Sequence, residues 1–453
     1  MLVLQGSKKD QVDIWKATLP DLFELGEELE EIDRILNDRR FLEPFLRKMQ
    51  ESKVKLHMGR PCVPIDQYLR LMYLRHAYQL SYESLVREVS DSIKWRTFCG
   101  FSMADKLPDP TTLMKLTKKF GPEVVKQLNN GVIRKAKEEK ALRSRTVRTD
   151  TTVVEANIHY PTDGSLLVDG IKKITRIVKG LAHLGYVKRA IKDRTKSAKK
   201  RLMQINQVAR LRKGGFIEKI NEITREVVGI AQKAVRAARV NLDDARRRLE
   251  ELGRDASGKA RRAITMLNQT MCLTERLIEQ ACEVAKGNRN IKDRIVSLHD
   301  PGARPIVKGK AGKRTEFGRK VSISETREGF ITHYEVKEGN PSDREMALDA
   351  VKGHEESTGS VPHTLTADRG MSGAGFEEEL RSIGVSNVVI PRKGRKSKER
   401  RQLEKKPSFR RAIRWRGGIE GRISHLKRCY GLGRSLMDGL DGTECWVGFG
   451  ILA

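Results

Sequence analysis

Apolar residues recur every three or four positions over residues 15 to 50, where Leu22, Leu25, Leu29, Ile32, Ile35 and Leu36 mark one side of the acidic run LPDLFELGEELEEIDRILND. That period predicts helix. From Pro64 the pattern shortens into units with clear start signals: Pro64 opens PIDQYLRLMYLRHAY, Ser81 precedes YESLVREV, and Pro110 with Thr111 precedes LMKLTKKFG. Short helices with tight joints predict a helix-turn-helix-like DNA-binding domain over 58–137, behind an acidic helical segment over 1–57. Strand-like alternation appears in SRTVRTDTTVVEANI and again in EFGRKVSISE, GFITHYEVKE, TLTADRG and SNVVIPR. The last three alternate with the helical DREMALDAVKGHEE and FEEELRSI. Between Ile171 and Ile295 the pattern is helical and nearly free of proline, with KGGF at 213–216 and GRDASGK at 253–259 as turns, so two or three long antiparallel helices are expected. The fold class is therefore α/β. A mixed-sheet domain, 138–170 plus 300–453, has its first strand separated from the rest by an all-helical insertion, 171–299.

Charge narrows the class. The 453 residues hold 90 Lys or Arg against 59 Asp or Glu, a formal net charge of +31. With 38% hydrophobic residues the chain can fold, and a charge of this size calls for a polyanionic partner, nucleic acid ahead of an acidic membrane. Only 5% of residues are aromatic, which favours phosphate contacts over base stacking. Cys62, Cys99, Cys272, Cys282, Cys429 and Cys445 are dispersed without a CxxC, so neither a zinc ribbon nor a disulfide scaffold is expected. The start MLVLQGSKKDQVDIW lacks a sustained apolar core after a basic stretch and nowhere do eighteen apolar residues run without a charge, which predicts a soluble, unexported, cytoplasmic protein with no membrane partner.

Candidate chemistry starts at Asp150, which interrupts TVRTDTTVVE where a strand favours Val, Ile or Thr. Asp368 follows an apolar strand in LTADRG. Taken alone, each is more simply a turn residue capping nearby amides. In RRAIRWRGGIEGRISHLKRCYGL, Arg416, Glu420 and Lys427 are spaced by four and seven and share one face of a helix. The plainer reading is a surface ion pair, and Gly417 with Gly418 weakens the helix. Residues 392–428 contain sixteen Lys or Arg and three acids, a backbone-binding surface in which Arg392, Lys393, Arg395, Lys396 and Arg422 are candidate DNA contacts. PRKGRKSKERRQLEKK reads as a basic loop that orders on DNA, and VKGKAGKR at 307–314 has the same character without the order of a phosphate-binding loop. His425 is a packing or phosphate-contact residue, and no histidine pair suggests zinc. Asp163, Asp169 and Asp343 suit turn and helix-cap roles.

Four ordered motifs, TDTTVVEANIHYPTDGSLL, ARPIVKGKAGKRTEFGRKV, LTADRGMSG and RWRGGIEGRISHLKRCYGLGRS, resemble those of a DDE transposase of a bacterial insertion sequence, of the ISNCY-like group. The resemblance covers about residues 55 to 453. It implies an RNase-H-like catalytic domain in which Asp150, Asp368 and Glu420 are the catalytic and metal-binding carboxylates, served by two Mg2+ ions with Mn2+ as a substitute. It also implies that Arg416 and Lys427 contact DNA, from a helix signature Y-x2-R-x3-E-x6-K whose tyrosine position holds Ile413 here. The partners implied are double-stranded DNA, at the element's terminal inverted repeats and at the target, with the chain a homodimer or higher on DNA. Similar chains continue beyond a segment like WVGFGILA, so a truncated last helix is expected. The function implied is end binding, cleavage and joining of 3′ ends to target DNA. A catalytically inactive or truncated DNA-binding derivative, or a nuclease of the same fold, are the alternatives. Chemistry gives the acids a reason, because divalent cations held by carboxylates stabilise both oxygens of an in-line phosphoryl displacement.

Overall fold

The structure of the protein, a computed structural model, describes residues 14–51, 63–188, 191–288, 290–307, 315–373 and 375–453. The chain divides into two units, Met1–Asn157 with Gly318–Ala453, and Ile158–Phe317. The first unit begins with helices α1 (Ile14–Thr18), α2 (Glu27–Leu36), α3 (Glu43–Glu51), α4 (Ile65–Ala77), α5 (Tyr82–Asp91), α6 (Ile93–Phe98) and α7 (Pro110–Glu138). Their starts follow the sequence signals. The Ser81 hydroxyl accepts from the Ser84 amide at 3.0 Å, and Asp109 accepts from the Thr111 amide at 2.8 Å ahead of Pro110. The span Pro110–Glu138 holds two helical segments that meet at a kink, where Gly121 takes the non-helical φ of 73° and ψ of −178° and Pro122 opens the second segment. Strand β1 (Thr146–Glu155) comes next and carries Asp150 at its middle.

Among the described residues the second unit is built on four helices where two or three were expected. These are α8 (Asp163–His183), α9 (Thr195–Leu211), α10 (Phe216–Leu252) and α11 (Gly258–Ala285), with turns where KGGF and GRDASGK placed them. The first helix starts earlier than its pattern suggested because Thr162 and Ser165 form a capping box. Asp163, in its first turn, pairs with Arg294 at 2.9 Å. Leu167, Ile171, Val227, Ala231, Ala238 and Leu267 belong to a core of this unit's own. The short strand β2 (Arg304–Val307), which the alternation pattern did not reveal, neighbours β3 (Thr315–Thr326), whose first three residues also belong to this unit.

After β3 the chain forms β4 (Ile331–Lys337), α12 (Asp343–Thr358), β5 (Thr364–Thr366), α13 (Phe376–Ser382), β6 (Asn387–Val389), α14 (Lys398–Lys405), α15 (Pro407–Cys429) and α16 (Gly439–Leu452). β1 lies between β3, antiparallel to it, and β5, parallel to it; β4 extends the antiparallel side and β6 the parallel side. This is a mixed sheet of RNase-H-like type. Because strand side chains alternate between faces, Val147 packs with Leu365, Val388, Ala347 and Val351 on one face. Val154, Val321 and Ile323 on the other join Trp446, Leu426, Val125, Leu69 and Phe45 in one continuous core. Residues of the N-terminal helices therefore share one core with the sheet. Among the described residues no helix is long and apolar enough to cross a membrane.

Candidate active site

The sheet brings the first two acids to one level. β1 and β5 run parallel, and their last paired positions are Arg148 and Thr366. Asp150 and Asp368 each lie two residues further on, so they end at matching heights on strands about 4.8 Å apart. Asp368 also caps the turn at Arg369–Met371, accepting from the Gly370 amide at 3.4 Å, so its capping role and its place in the site coexist. The third acid arrives on α15, which is helical throughout despite Gly417 and Gly418 and packs against β1, β5 and β6.

Arg416 joins the set. Its Nη2 lies 2.6 Å from Asp150 Oδ2, and its Nη1 lies 3.5 Å from Asp368 Oδ1 and 3.3 Å from Glu420 Oε1. One guanidinium thus contacts all three carboxylates. The Asp150 side chain is 16% exposed, whereas Asp368 is 51% and Glu420 69% exposed, so the site has a buried floor and an open rim. Burial holds the Asp150 carboxyl above its ordinary range; Arg416 opposes the shift, and the negative charges of Asp368 and Glu420 add to it. Three converging carboxylates are the donors a hard divalent cation takes. In this arrangement Arg416 holds the centre, and among the described residues no group of three His, Cys, Asp or Glu side chains is gathered as a metal site.

The rest of α15 departs from the sequence expectation. Lys427 does not stand free beside Glu420: its Nζ donates to the Val153 carbonyl at 2.8 Å, tying the helix to β1. Arg422 donates from Nε to Glu325 Oε1 at 2.7 Å. The other oxygen of Glu325 accepts from Arg148 Nε at 2.8 Å and Nη2 at 2.6 Å. Sequence reasoning missed Arg148 and Glu325, although a charged pair inside two apolar strand patterns is a signal of the same kind that flagged Asp150.

Comparison with known proteins gives two family matches. Residues 18–119 match a transposase domain (DUF772), and residues 293–453 match a transposase DDE domain. Both matches are to transposase domains, the second of the DDE type. The DDE match takes in Asp368 and Glu420 but begins after Asp150, which the helical insertion separates from the rest of the sheet. The uncharacterized protein ORF8 in the nfe locus of Rhizobium meliloti is 31% identical over 132 residues, which cover 27% of this chain and 61% of that relative. The chain thus spans about three fifths of the length of the curated relative it matches, and no solved structure matches it.

The remaining basic candidates are unevenly available. Arg392, Lys393 and Arg395 are exposed, but Lys396 pairs with Glu404. PRKGRKSKERRQLEKK is not a loop throughout: its second half is α14, where buried Arg400 pairs with Glu377 at 2.8 Å and Glu404 at 3.0 Å. Of VKGKAGKR, all but Val307 lies outside the described residues. In the helix-turn-helix-like region α4 is buried along most of its length, and α5 exposes Glu83, Glu88 and Asp91 with Arg87, a face that repels phosphate. The first half of α7 instead exposes Lys115, Lys118 and Lys119. His425 packs edge-on against Tyr430 at 5.5 Å. On the other side of the sheet, Asp343 accepts from Thr151 Oγ1 at 2.9 Å and pairs with Lys320 at 2.6 Å.

Proposed function

We propose that this transposase binds the terminal inverted repeats of an insertion sequence, cleaves the DNA there and joins the 3′ ends to target DNA by metal-dependent phosphodiester transfer. Asp150, Asp368 and Glu420 are the catalytic carboxylates in this reading. The observation that carries it is the meeting of three acids, far apart in sequence, on the guanidinium of Arg416. Carboxylate oxygens suit Mg2+, with Mn2+ as a substitute, and two such ions when bound supply charge stabilisation for the attacking and leaving oxygens. The chain's own contribution is placement: β1 fixes Asp150 on the buried floor, while Asp368 and Glu420 face the open side from which a phosphodiester arrives. Arg416 keeps the acids from repelling one another, and a DNA phosphate must compete with them for its guanidinium.

Double-stranded DNA as partner is supported by the distribution of charge. Ile158–Phe317 holds 37 Lys or Arg against 17 Asp or Glu, so this helical unit carries +20 of the net +31. Exposed Arg392, Lys393 and Arg395 add a basic segment to the catalytic unit, and Lys115, Lys118 and Lys119 are better placed than the acidic face of α5 to read the element's ends. Two ends per element imply a homodimer or higher assembly on DNA, working in the cytoplasm at the bacterial nucleoid. The test is a joining assay with duplexes carrying the element's ends, a supercoiled target and Mg2+. Nicked and joined products are expected. Cleavage without joining identifies a nuclease of the same fold, and binding without cleavage identifies an inactive DNA-binding derivative.

A further inference from the structure

Glu325 is a carboxylate with a 1% exposed side chain, held by one arginine from a strand and one from a helix. It stands directly opposite Arg148 in the antiparallel register of β1 and β3. Arg148 lies two residues before Asp150, so both side chains leave the same face of β1, the face that α15 covers. Arg148 does more than meet Glu325. Its Nη1 donates to the Trp415 carbonyl, and its guanidinium carbon sits 4.9 Å from the centre of the Trp415 ring, which Arg327 also approaches at 5.6 Å. From the far side of the same carboxylate, Arg422 returns to the helix. The two anchor points, Trp415 and Arg422, bracket Arg416 and Glu420.

The glycine pair has a cause in this cluster. A Cβ on Gly418 would stand 2.5 Å from Arg148 Nη1, whereas one on Gly417 would meet nothing within 4 Å. Arg148 cannot easily yield, because its three nitrogens are already committed to Glu325 and Trp415. Gly418 is the gap through which a strand arginine reaches the helix backbone.

We propose that Arg148, Glu325 and Arg422, with the gap at Gly418, are positioning residues for the DNA chemistry proposed above, on which this inference rests: they fix the register of α15 on β1 and hence the place of Arg416 and Glu420 relative to Asp150. A slip of one residue along the helix turns its side chains by about 100° and carries Glu420 out of the site. Buried ion pairs with both oxygens used suit this task, since their worth lies in specifying one arrangement.

The matched glycines provide the test. Gly417→Ala, Gly418→Ala, Arg148→Ala and the double variant Arg148→Ala with Gly418→Ala are compared with the parent for melting temperature, affinity for end DNA and cleavage rate at saturating DNA and Mg2+. Gly417→Ala is expected to cleave like the parent. Gly418→Ala and Arg148→Ala are expected to lose cleavage on the order of 10²-fold through displacement of the helix, with end affinity nearly unchanged. Adding Gly418→Ala to Arg148→Ala should cost nothing further in rate or in melting temperature, because the colliding guanidinium is gone. Gly418→Ala behaving like Gly417→Ala, additive effects in the double variant, or affinity falling in step with cleavage overturns the inference. A parent chain that does not cleave end DNA overturns the proposed function instead, and the melting-temperature cycle still decides whether Arg148 and Gly418 set the helix register.

Discussion

At Arg416 both terminal nitrogens are engaged by Asp150, Asp368 and Glu420, so a substitution there disturbs the acids before it disturbs DNA. Lys427 differs in kind. Its spacing from Glu420 suggested a phosphate clamp, but its bond to the Val153 carbonyl makes it a strut between α15 and β1. Lys427→Ala should lower unfolding free energy by on the order of 1–2 kcal/mol and leave end-DNA affinity close to the parent value. Denaturant titration and a binding isotherm check this; unchanged stability with a large loss of affinity restores the clamp. The three acids are legible in the sequence because each breaks a local rule or ends a local pattern: Asp150 inside a strand, Asp368 just after one, Glu420 at helical spacing from Arg416. The role of Glu325 is not, since its partners lie 177 and 97 positions away and no local pattern links them.

Among the elements, strands and helices follow the period of their apolar residues, and the departures have physical reasons. α7 is interrupted at Gly121, whose φ and ψ are not helical, and resumes at Pro122, and α14 folds out of a run of charges because Ser397 caps it and Arg400 finds two glutamates. The packing of α12 on β4 carries a pH dependence that no sequence pattern foretells. Burial pushes His333 down to about 3 and His354 down to about 4, and each ring meets a hydroxyl, Ser322 Oγ at 3.2 Å and Thr332 Oγ1 at 2.8 Å. The unfolded chain protonates these rings near pH 6.5 while the folded chain resists. Their contribution is therefore present above pH 6.5 and is lost as pH falls through the interval toward 4, by up to about 1.4 kcal/mol per pH unit for each ring. Melting temperature should decline from pH 7 to pH 5, and more shallowly in His354→Gln. Equal slopes in the two proteins would show that His354 does not contribute.

For the whole molecule, the pattern of strands and helices reveals that an insertion divides the sheet but not that the N-terminal helices share the core of that sheet, because long-range packing leaves no trace in local periodicity. One consequence is that deleting residues 64–130 removes Tyr68, Leu69, Phe120 and Val125 from that core and unfolds more than it informs. Charge is a better handle. End affinity should fall steeply with salt, since a helical unit carrying +20 releases counterions when it meets DNA, and a flat plot of log affinity against log salt would speak against DNA as partner. The central claim is that Asp150, Asp368 and Glu420 act as one site. The measurement that tests it most directly is Mg2+-dependent cleavage and joining of end DNA by Asp150→Ala, Asp368→Ala and Glu420→Ala beside the parent, with end binding measured on the same preparations. Each variant should bind end DNA and neither cleave nor join it; substantial Mg2+-dependent cleavage by any one of them contradicts the claim for that residue and breaks the triad.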